Sequence, residues 1–377
     1  MTLVLIDAAG RLLGELPPFE VEAPWWQEVA DFPPEFPVLR LLHGDRPAPP
    51  GGHVTYLAEA AAEPRPAGLR PAQLRPGDAE LLPHPNRAPY AEPGGPAASV
   101  AWAREHLPGV TAHQQRTWNL SAIWRLDSGG APAAWLKQVP AFFAHEPTAL
   151  TLVGRVAPGL VPRLLAAGPQ GRMLLDHVPG EDRYGAGAQV CAAIAAAFHP
   201  VQAHFGGHLG ELAAIPDGRP SAERYARIAA PHYATIPGLE MLVDELPRRL
   251  AAVAECGLPD TLVHGDLHPG NVRTGADGGL TIMDWGDCTV ANPAFDILRL
   301  TGHLDDPAPL LDAWAYRWRQ TVPGSEPLRA AELLRPVAAL RAAATYAAFL
   351  DAIEPTERPY HEADVPAGLA AATIVVE

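Results

Sequence analysis

The chain has 377 residues, against a usual domain of roughly 100–200, so two domains or one large bilobal domain is the natural organisation. Hydrophobic residues make up 48% and charged residues 19%, which excludes a disordered chain and supplies enough apolar side chains for a sizeable core. The net charge of −15 argues against a nucleic-acid or anionic-membrane binder, and neither partner is expected. Cys191, Cys256 and Cys288 are too widely spaced for a ligand pair or a disulfide framework and suit a reducing compartment. The opening MTLVLIDAAGR lacks a basic leader. No uncharged apolar run approaches the ~18 residues of a membrane span, VCAAIAAAF being among the longest. A soluble cytoplasmic protein is expected.

Residues 1–95 are expected to form a small strand-rich domain and its linker, with no chemistry assigned. LVLI and RLLGEL flank the turn DAAG, while PVLRLL and HVTYLAE read as further strands. Pro33-Pro34, Pro47 and Pro49-Pro50-Gly51-Gly52 punctuate the loops, and residues 83–96 are a linker by composition. Residues 96–178 form the second segment. It opens with a short helix over Ala97–Leu107, and then TWNLSAIWRLD and AAWLKQV make a hairpin around Ser128-Gly129-Gly130. A helix starts near Glu146-Pro147, where Pro suits a first turn, and VPRLLAAG and RMLLDHV read as strands.

Residues 179–377 are mainly helical. Val190, Ile194, Phe198, Val201 and Phe205 recur at spacings of three and four, with His199 and His204 read as packing residues rather than ligands. A β island returns over Asp260–Asp287, and helices follow, notably PLRAAELLRPVAALRAAATYAAFLDAI. The order points to an α+β protein with a β-rich lobe and a larger helical lobe.

The 28 basic residues include a single lysine, Lys137. Where a chain uses Arg almost everywhere, a surviving Lys suggests a place for a compact ammonium that a guanidinium fork cannot fill; accident of composition is the other reading.

The octet His264-Gly265-Asp266-Leu267-His268-Pro269-Gly270-Asn271 carries the most chemistry. Asp266 can orient a hydroxyl and accept its proton, and Asn271, five residues on, offers an amide oxygen to a hard cation. After it comes Ile282-Met283-Asp284-Trp285-Gly286-Asp287. A hairpin with its turn at Ala276–Gly279 would return Asp284 to the side of Asn271, making an oxygen site of the kind Mg²⁺ shares with phosphates. Singly, either Asp could be a turn or capping carboxylate.

HGDLHPGN followed by IMDWGD resembles the signature of the aminoglycoside phosphotransferase family, small-molecule kinases with a bilobal protein-kinase-like fold. The resemblance covers roughly residues 110–365 and leaves residues 1–95 as an additional N-terminal module. It implies ATP and Mg²⁺ as cofactors, Asp266 as the catalytic carboxylate, and Asn271 and Asp284 as metal ligands. It further implies that Lys137 contacts the α- and β-phosphates and pairs with a helix carboxylate, best matched by Glu146, which could instead complement the helix dipole. Thr117–Ser121 stands where the family covers the phosphates, Ser121 being the donor or a plain strand hydroxyl. MLLDHVPG resembles the hinge, where the Asp176 carbonyl and Val178 amide would pair with adenine. GxGxxG is absent.

The family implies a small hydroxylated acceptor: an aminoglycoside or another antibiotic, a sugar, or an amino alcohol. Asp351, Glu354, Glu357 and Glu362 cluster near the C-terminus, together with Asp364 and Glu377, and would line a pocket for a cationic acceptor; a solvated acidic face is the alternative. Two other function classes compete with the kinase: a nucleotide-binding pseudokinase acting through its N-terminal module, and a metal-dependent phosphoesterase. The intact Lys137, Asp266, Asn271 and Asp284 count against the first, and Lys137 on a hairpin against the second.

The lysine count generates a test. Lys137→Arg keeps the charge and should still lower kcat/KM for ATP, on the order of 10²-fold, as loss of a well-placed electrostatic group does. Wild-type kinetics in this variant would make the lone lysine an accident of composition.

Overall fold

The computed structural model describes residues 1–23, 25–46, 52–60, 66–74 and 83–374. Pro47, Pro49, Pro50, Gly51 and Glu377 lie outside the described residues. In chain order the elements are β1 (Thr2–Ile6), β2 (Leu12–Glu15), β3 (Val38–Gly44), β4 (Val54–Glu59), α1 (Gly95–His106), β5 (Thr111–Trp118), β6 (Ser121–Ser128) and β7 (Ala131–Gln138). Next come α2 (Glu146–Val156), β8 (Leu164–Ala167), β9 (Arg172–Asp176), β10 (Glu181–Asp182), α3 (Ala188–Gly207), α4 (Ala222–Ala229) and α5 (Leu239–Glu255). The chain ends with β11 (Thr261–Val263), β12 (Val272–Thr274), β13 (Leu280–Ile282), β14 (Thr289–Ala291), α6 (Ala294–Thr301), α7 (Ala308–Thr321), α8 (Pro327–Ala352) and α9 (Asp364–Ile374). A small N-terminal sheet, a β-rich lobe and a mainly helical region thus follow one another, the bilobal kinase-like class.

Two compact units result. The first holds residues 1–144, 164–177 and 349–362; the second holds 145–163, 178–348 and 363–377. The expected boundary at 95/96 lies inside the first unit, which contains both larger sheets.

In the first unit, the four-stranded sheet has the order β2-β1-β4-β3, with β1 and β4 parallel. Leu3, Leu5, Tyr56 and Leu41 from it join Trp26, Val29 and Phe32 in one buried cluster. The five-stranded sheet has the order β5-β6-β7-β9-β8. The stretch TWNLSAIWRLD is not one strand: Trp118 pairs with Ser121 across a two-residue turn, Asn119-Leu120, which divides it into β5 and β6. Asn is a common turn residue, because its short polar side chain bonds to backbone groups, and here its Oδ1 accepts from the Glu354 N–H at 3.4 Å.

Polar groups join the two sheets. The Gln114 side-chain amide imitates a strand, accepting from the Val38 N–H and donating to the Val38 carbonyl, both at 2.8 Å. Residues 349–362 close the same core. Both Nε (3.0 Å) and Nη2 (2.8 Å) of buried Arg87 donate to Glu354 Oε2. Removing one member of such a buried pair typically costs about 3–5 kcal/mol. Glu357 is also buried, its Oε2 accepting from the Asn119 N–H at 2.9 Å. Tyr360 packs on Trp26 with ring centroids 4.4 Å apart.

In the second unit, α3 lies against β11, and α6 and α7 pack on α3. The short strands form β10-β12-β13 and β11-β14 sheets. Helix α8, with 26 residues, is long and apolar enough to cross a membrane by length and composition, alone among the described helices. The expectation that no run reaches that length treated Arg and Asp as breaks, but Ala-rich turns between them keep the window apolar. Ala330, Leu334, Val337, Leu340 and Ala344 of this helix are buried within the protein.

The Glu357 environment makes a pH-dependent prediction. Burial, and then the charge of Glu354 against the opposing Asn119 hydrogen bonds, raises its carboxyl from 4.5 to about 8. The folded chain therefore holds a proton that the unfolded chain releases, so the contribution is full below pH 4.5 and is lost as pH rises to about 8. Glu357→Gln should flatten the fall in urea-denaturation stability across that window; an unaltered pH slope would show that Glu357 does not titrate there.

Candidate active site

The candidate catalytic loop runs from β11 to β12, and near its start stands a glycine where no other residue fits. Gly265 has φ +89, and a Cβ there would collide with the Asp287 carbonyl oxygen. One buried carboxylate holds the loop's start. Asp296, on α6, accepts from the His264 N–H (2.9 Å) and the Gln202 side-chain amide (2.9 Å) on Oδ2, and from the Gly265 N–H (3.0 Å) on Oδ1. Burial raises its pKa; the backbone N–H donors of His264 and Gly265 oppose the shift.

His264 forms the next link. Its Nδ1 accepts from the Asp266 N–H at 3.3 Å, which leaves the proton on Nε2 to donate to the Met283 carbonyl at 2.9 Å. The Met283 N–H donates to the Asn271 carbonyl at 2.7 Å, continuing the β12–β13 hairpin in which Val272 pairs with Ile282. The turn closes where expected, with the Gly275 N–H donating to Gly279 O. Asp284 therefore follows Asn271 across the hairpin. It is exposed and has φ 59, a left-handed conformation that costs a non-glycine residue about 1–2 kcal/mol. Trp285, fully buried, anchors it: its N–H donates to Glu146 Oε1 (3.1 Å) and its indole Nε1–H to the Ile282 carbonyl (3.0 Å).

Asp266 is surrounded by donors. Asn271 Nδ2 donates to both the Asp266 carbonyl (3.0 Å) and its Oδ2 (3.1 Å), which turns the amide oxygen of Asn271 the other way. His268 accepts the Gly270 N–H on Nδ1 and sets Nε2 3.4 Å from Asp266 Oδ2. Arg299 Nε donates to Oδ1 at 2.8 Å. Burial pushes the Asp266 pKa up, but the His268 and Arg299 hydrogen bonds and charges outweigh it and hold the carboxyl well below the usual range. The result is a carboxylate fixed in direction and ionised throughout neutral pH. The Asn271 amide oxygen and the Asp284 carboxylate are hard oxygen donors of the kind Mg²⁺ prefers.

Of the other expected site residues, Ser121, Lys137 and Asp176 belong to the first unit, and Glu146 and Val178 to the second. Lys137 is buried at the centre of its sheet, between Ile123 and Met173. Ser121 is buried, and its Oγ accepts the Trp118 indole N–H at 2.9 Å. Asp176 ends β9 opposite Ala134. Of the expected acceptor residues, Glu354 and Glu357 are buried in the first unit on Arg87 and Asn119, while Asp351 and Glu362 are exposed. Other acids act near Asp266. Burial, and then the charges of Asp364, Asp266 and Asp287, push the Tyr346 hydroxyl up to about 12.

His264, His268, Asp296 and Arg299 were not given roles by the sequence reading. The two histidines stood inside the octet, and Asp296 interrupts the apolar run AFDILRL, which was signal enough for a buried, partnered carboxylate.

The profile of the phosphotransferase enzyme family matches residues 131–333, more than half of the chain. No curated protein matches it. Among solved structures, the chain is similar to choline kinase LicA from Streptococcus pneumoniae (13% identity, 73% of this chain and 98% of that one, TM-score 0.52). It is also similar to choline kinase from Cryptosporidium parvum Iowa II (12% identity, 74% and 96%, TM-score 0.52). A third is the GDP complex of aminoglycoside 2′-phosphotransferase-IIIa (12% identity, 74% and 98%, TM-score 0.51). At these identities the likeness is one of fold.

Asp296 offers the sharpest structural test. Asp296→Ala strands the His264 and Gly265 N–H groups and the Gln202 amide, each buried donor left unpaired costing about 1–3 kcal/mol. Denaturant titration should show a loss of about 3 kcal/mol or more, with Asp296→Asn, which keeps an acceptor oxygen, in between. A loss under about 1 kcal/mol would mean that the loop holds its shape without this carboxylate.

Proposed function

Because the chain belongs to the phosphotransferase enzyme family, we propose that it is an ATP- and Mg²⁺-dependent kinase that phosphorylates a hydroxyl of a small cationic acceptor. The observation that carries this reading is the fixed Asp266 carboxylate beside an Asn271 whose amide oxygen faces away from it, next to Asp284. The donor set fits the metal: Asn271 and Asp284 would hold Mg²⁺, which supplies charge neutralisation of the phosphates when bound.

The chain's own residues supply positioning. Arg299, Asn271 and His268 fix both oxygens of Asp266, which directs the acceptor hydroxyl in line with the γ-phosphorus. The acceptor oxygen forms its bond to phosphorus as the bond to the ADP oxygen breaks, and the hydroxyl proton passes to Asp266. A carboxylate of lowered pKa is a weak base, so Asp266 orients the hydroxyl through most of the step and takes the proton late, as a loose phosphoryl-transfer transition state allows. Lys137, the one lysine of the chain, would neutralise phosphate charge.

A cationic acceptor fits the second unit's acids: Asp364, Asp266 and Asp287 all act on Tyr346. Amino alcohols and aminoglycosides combine hydroxyls with such charge, as the names of the choline kinases and the aminoglycoside phosphotransferase of like fold suggest. An acidic chain with buried free cysteines also suits the cytoplasm.

The test is a panel of amino alcohols, aminoglycosides and neutral sugars with labelled ATP. Transfer is expected to a cationic member, and Asp266→Asn should lower kcat by about 10²–10⁴-fold while KM for ATP moves by less than about twofold. ATP binding without transfer to any member would favour the pseudokinase; transfer to neutral sugars alone would remove the cationic assignment.

A further inference from the structure

The C-terminal end of α3 carries a second constellation, with no part in the chemistry above. His204 lies in the helix's last turn, His208 caps it, and Glu211 follows in a single turn of 3₁₀ helix, Leu209–Leu212. One ring nitrogen of each histidine and one carboxylate oxygen lie within 4.8 Å of one another. We propose that these three residues bind a divalent first-row transition ion of the Zn²⁺ type, which pins the end of α3.

Three features favour an ion here over a chance surface cluster. The first is spacing. His204 Nε2 and Glu211 Oε1 are 3.4 Å apart. Two donors at about 2.0–2.2 Å from a tetrahedral ion are separated by about 3.3–3.5 Å, so this pair already spans one edge of such a site. The third donor, on His208, already lies within 4.8 Å of the other two.

The second is the fixed orientation of the donors. His208 Nδ1 lies 2.8 Å from the His204 carbonyl oxygen and must donate to it, which leaves the lone pair on Nε2. That is the outer hydrogen bond a metal-bound histidine ordinarily makes. Glu211 is held likewise, since its other oxygen, Oε2, is 3.4 Å from Arg155 Nη2 and Oε1 remains for the ion.

The third is electrostatic. The carbonyl end of a helix favours positive charge. α3 is a 20-residue helix, and its end is weakened by Gly206-Gly207. Nitrogen donors select the ion: two imidazoles and one carboxylate suit Zn²⁺, Ni²⁺ or Cu²⁺, while Mg²⁺ and Ca²⁺ prefer oxygen alone. The placement gives the ion leverage. Two residues before His204, Gln202 donates to Asp296 and accepts the Thr261 hydroxyl at 2.6 Å, so the same helix end seats the catalytic loop.

The experiment is calorimetric titration of ZnCl₂ into the tag-free, chelator-treated full chain, with MgCl₂ as the comparison and the thermal midpoint as a second readout. One Zn²⁺ should bind per chain, raise the midpoint, and be bound at least about tenfold more weakly in His208→Ala and in Glu211→Gln, since even outer-shell changes cost about 10–100-fold. Both positions are exposed, and an unchanged metal-free midpoint confirms that the variants fold. Equal Zn²⁺ affinity in wild type and variants, no Zn²⁺ uptake, or Mg²⁺ bound as tightly at these residues would each overturn the proposal.

Discussion

The Asp296 carboxylate is the constraint on which the second unit turns. It is 2% exposed, and a bare carboxylate there would protonate or force the core apart. Three N–H donors keep it in place, and they come from two separate segments: the Gln202 amide from α3, and the His264 and Gly265 N–H groups from the start of the loop. Satisfying one buried charge thus fixes where α3, α6 and the loop meet. The cost of leaving any member unpaired makes the arrangement all-or-none.

From that anchor the order spreads outward by single hydrogen bonds. His264 ties the loop to the Met283 carbonyl, and Met283 ties the hairpin to Asn271. The Trp285 N–H and indole take up partners on either side of the strained Asp284 backbone, which is how a non-glycine residue is kept at φ 59. Preorganisation is the purpose such a chain of bonds serves in phosphoryl transfer, where positioning does most of the work. The same logic explains the low basicity of the Asp266 carboxylate: donors that fix its direction also stabilise its charge.

Local pattern made the hairpins, the principal helices and the Asp266–Asn271–Asp284 set legible in the sequence, because each depends on residues within about one hairpin of each other. The partners that hold them were not legible for the opposite reason. Arg87 and Glu354 are 267 residues apart, and no periodicity connects them. A dense acidic stretch near the C-terminus reads as surface or as a cation site until the fold shows Glu354 on Arg87 and Glu357 on the Asn119 N–H. Asp296 sits in the first turn of α6, where a carboxylate ordinarily complements the dipole, and only its depth reveals the heavier duty.

The first unit applies the same physics to a different end. Trp26, Tyr56 and Leu41 of the N-terminal segment share a core with Trp118 of β5 and Tyr360 of the returning C-terminal segment. Gln114 and Thr117 of β5 bond to the backbone of β3, so the two sheets are joined by polar contacts as well as by apolar packing. The Asn119-Leu120 turn then receives its partners from the far end of the chain: Glu357 takes the Asn119 N–H and the Glu354 N–H reaches the Asn119 side chain. A tight turn left in solvent would be free to fray, and here two carboxylate-bearing residues of one segment hold both sides of a single asparagine. The N-terminal sheet is therefore part of the folding unit that shapes this turn, because the core that seats the C-terminal segment is built largely from it.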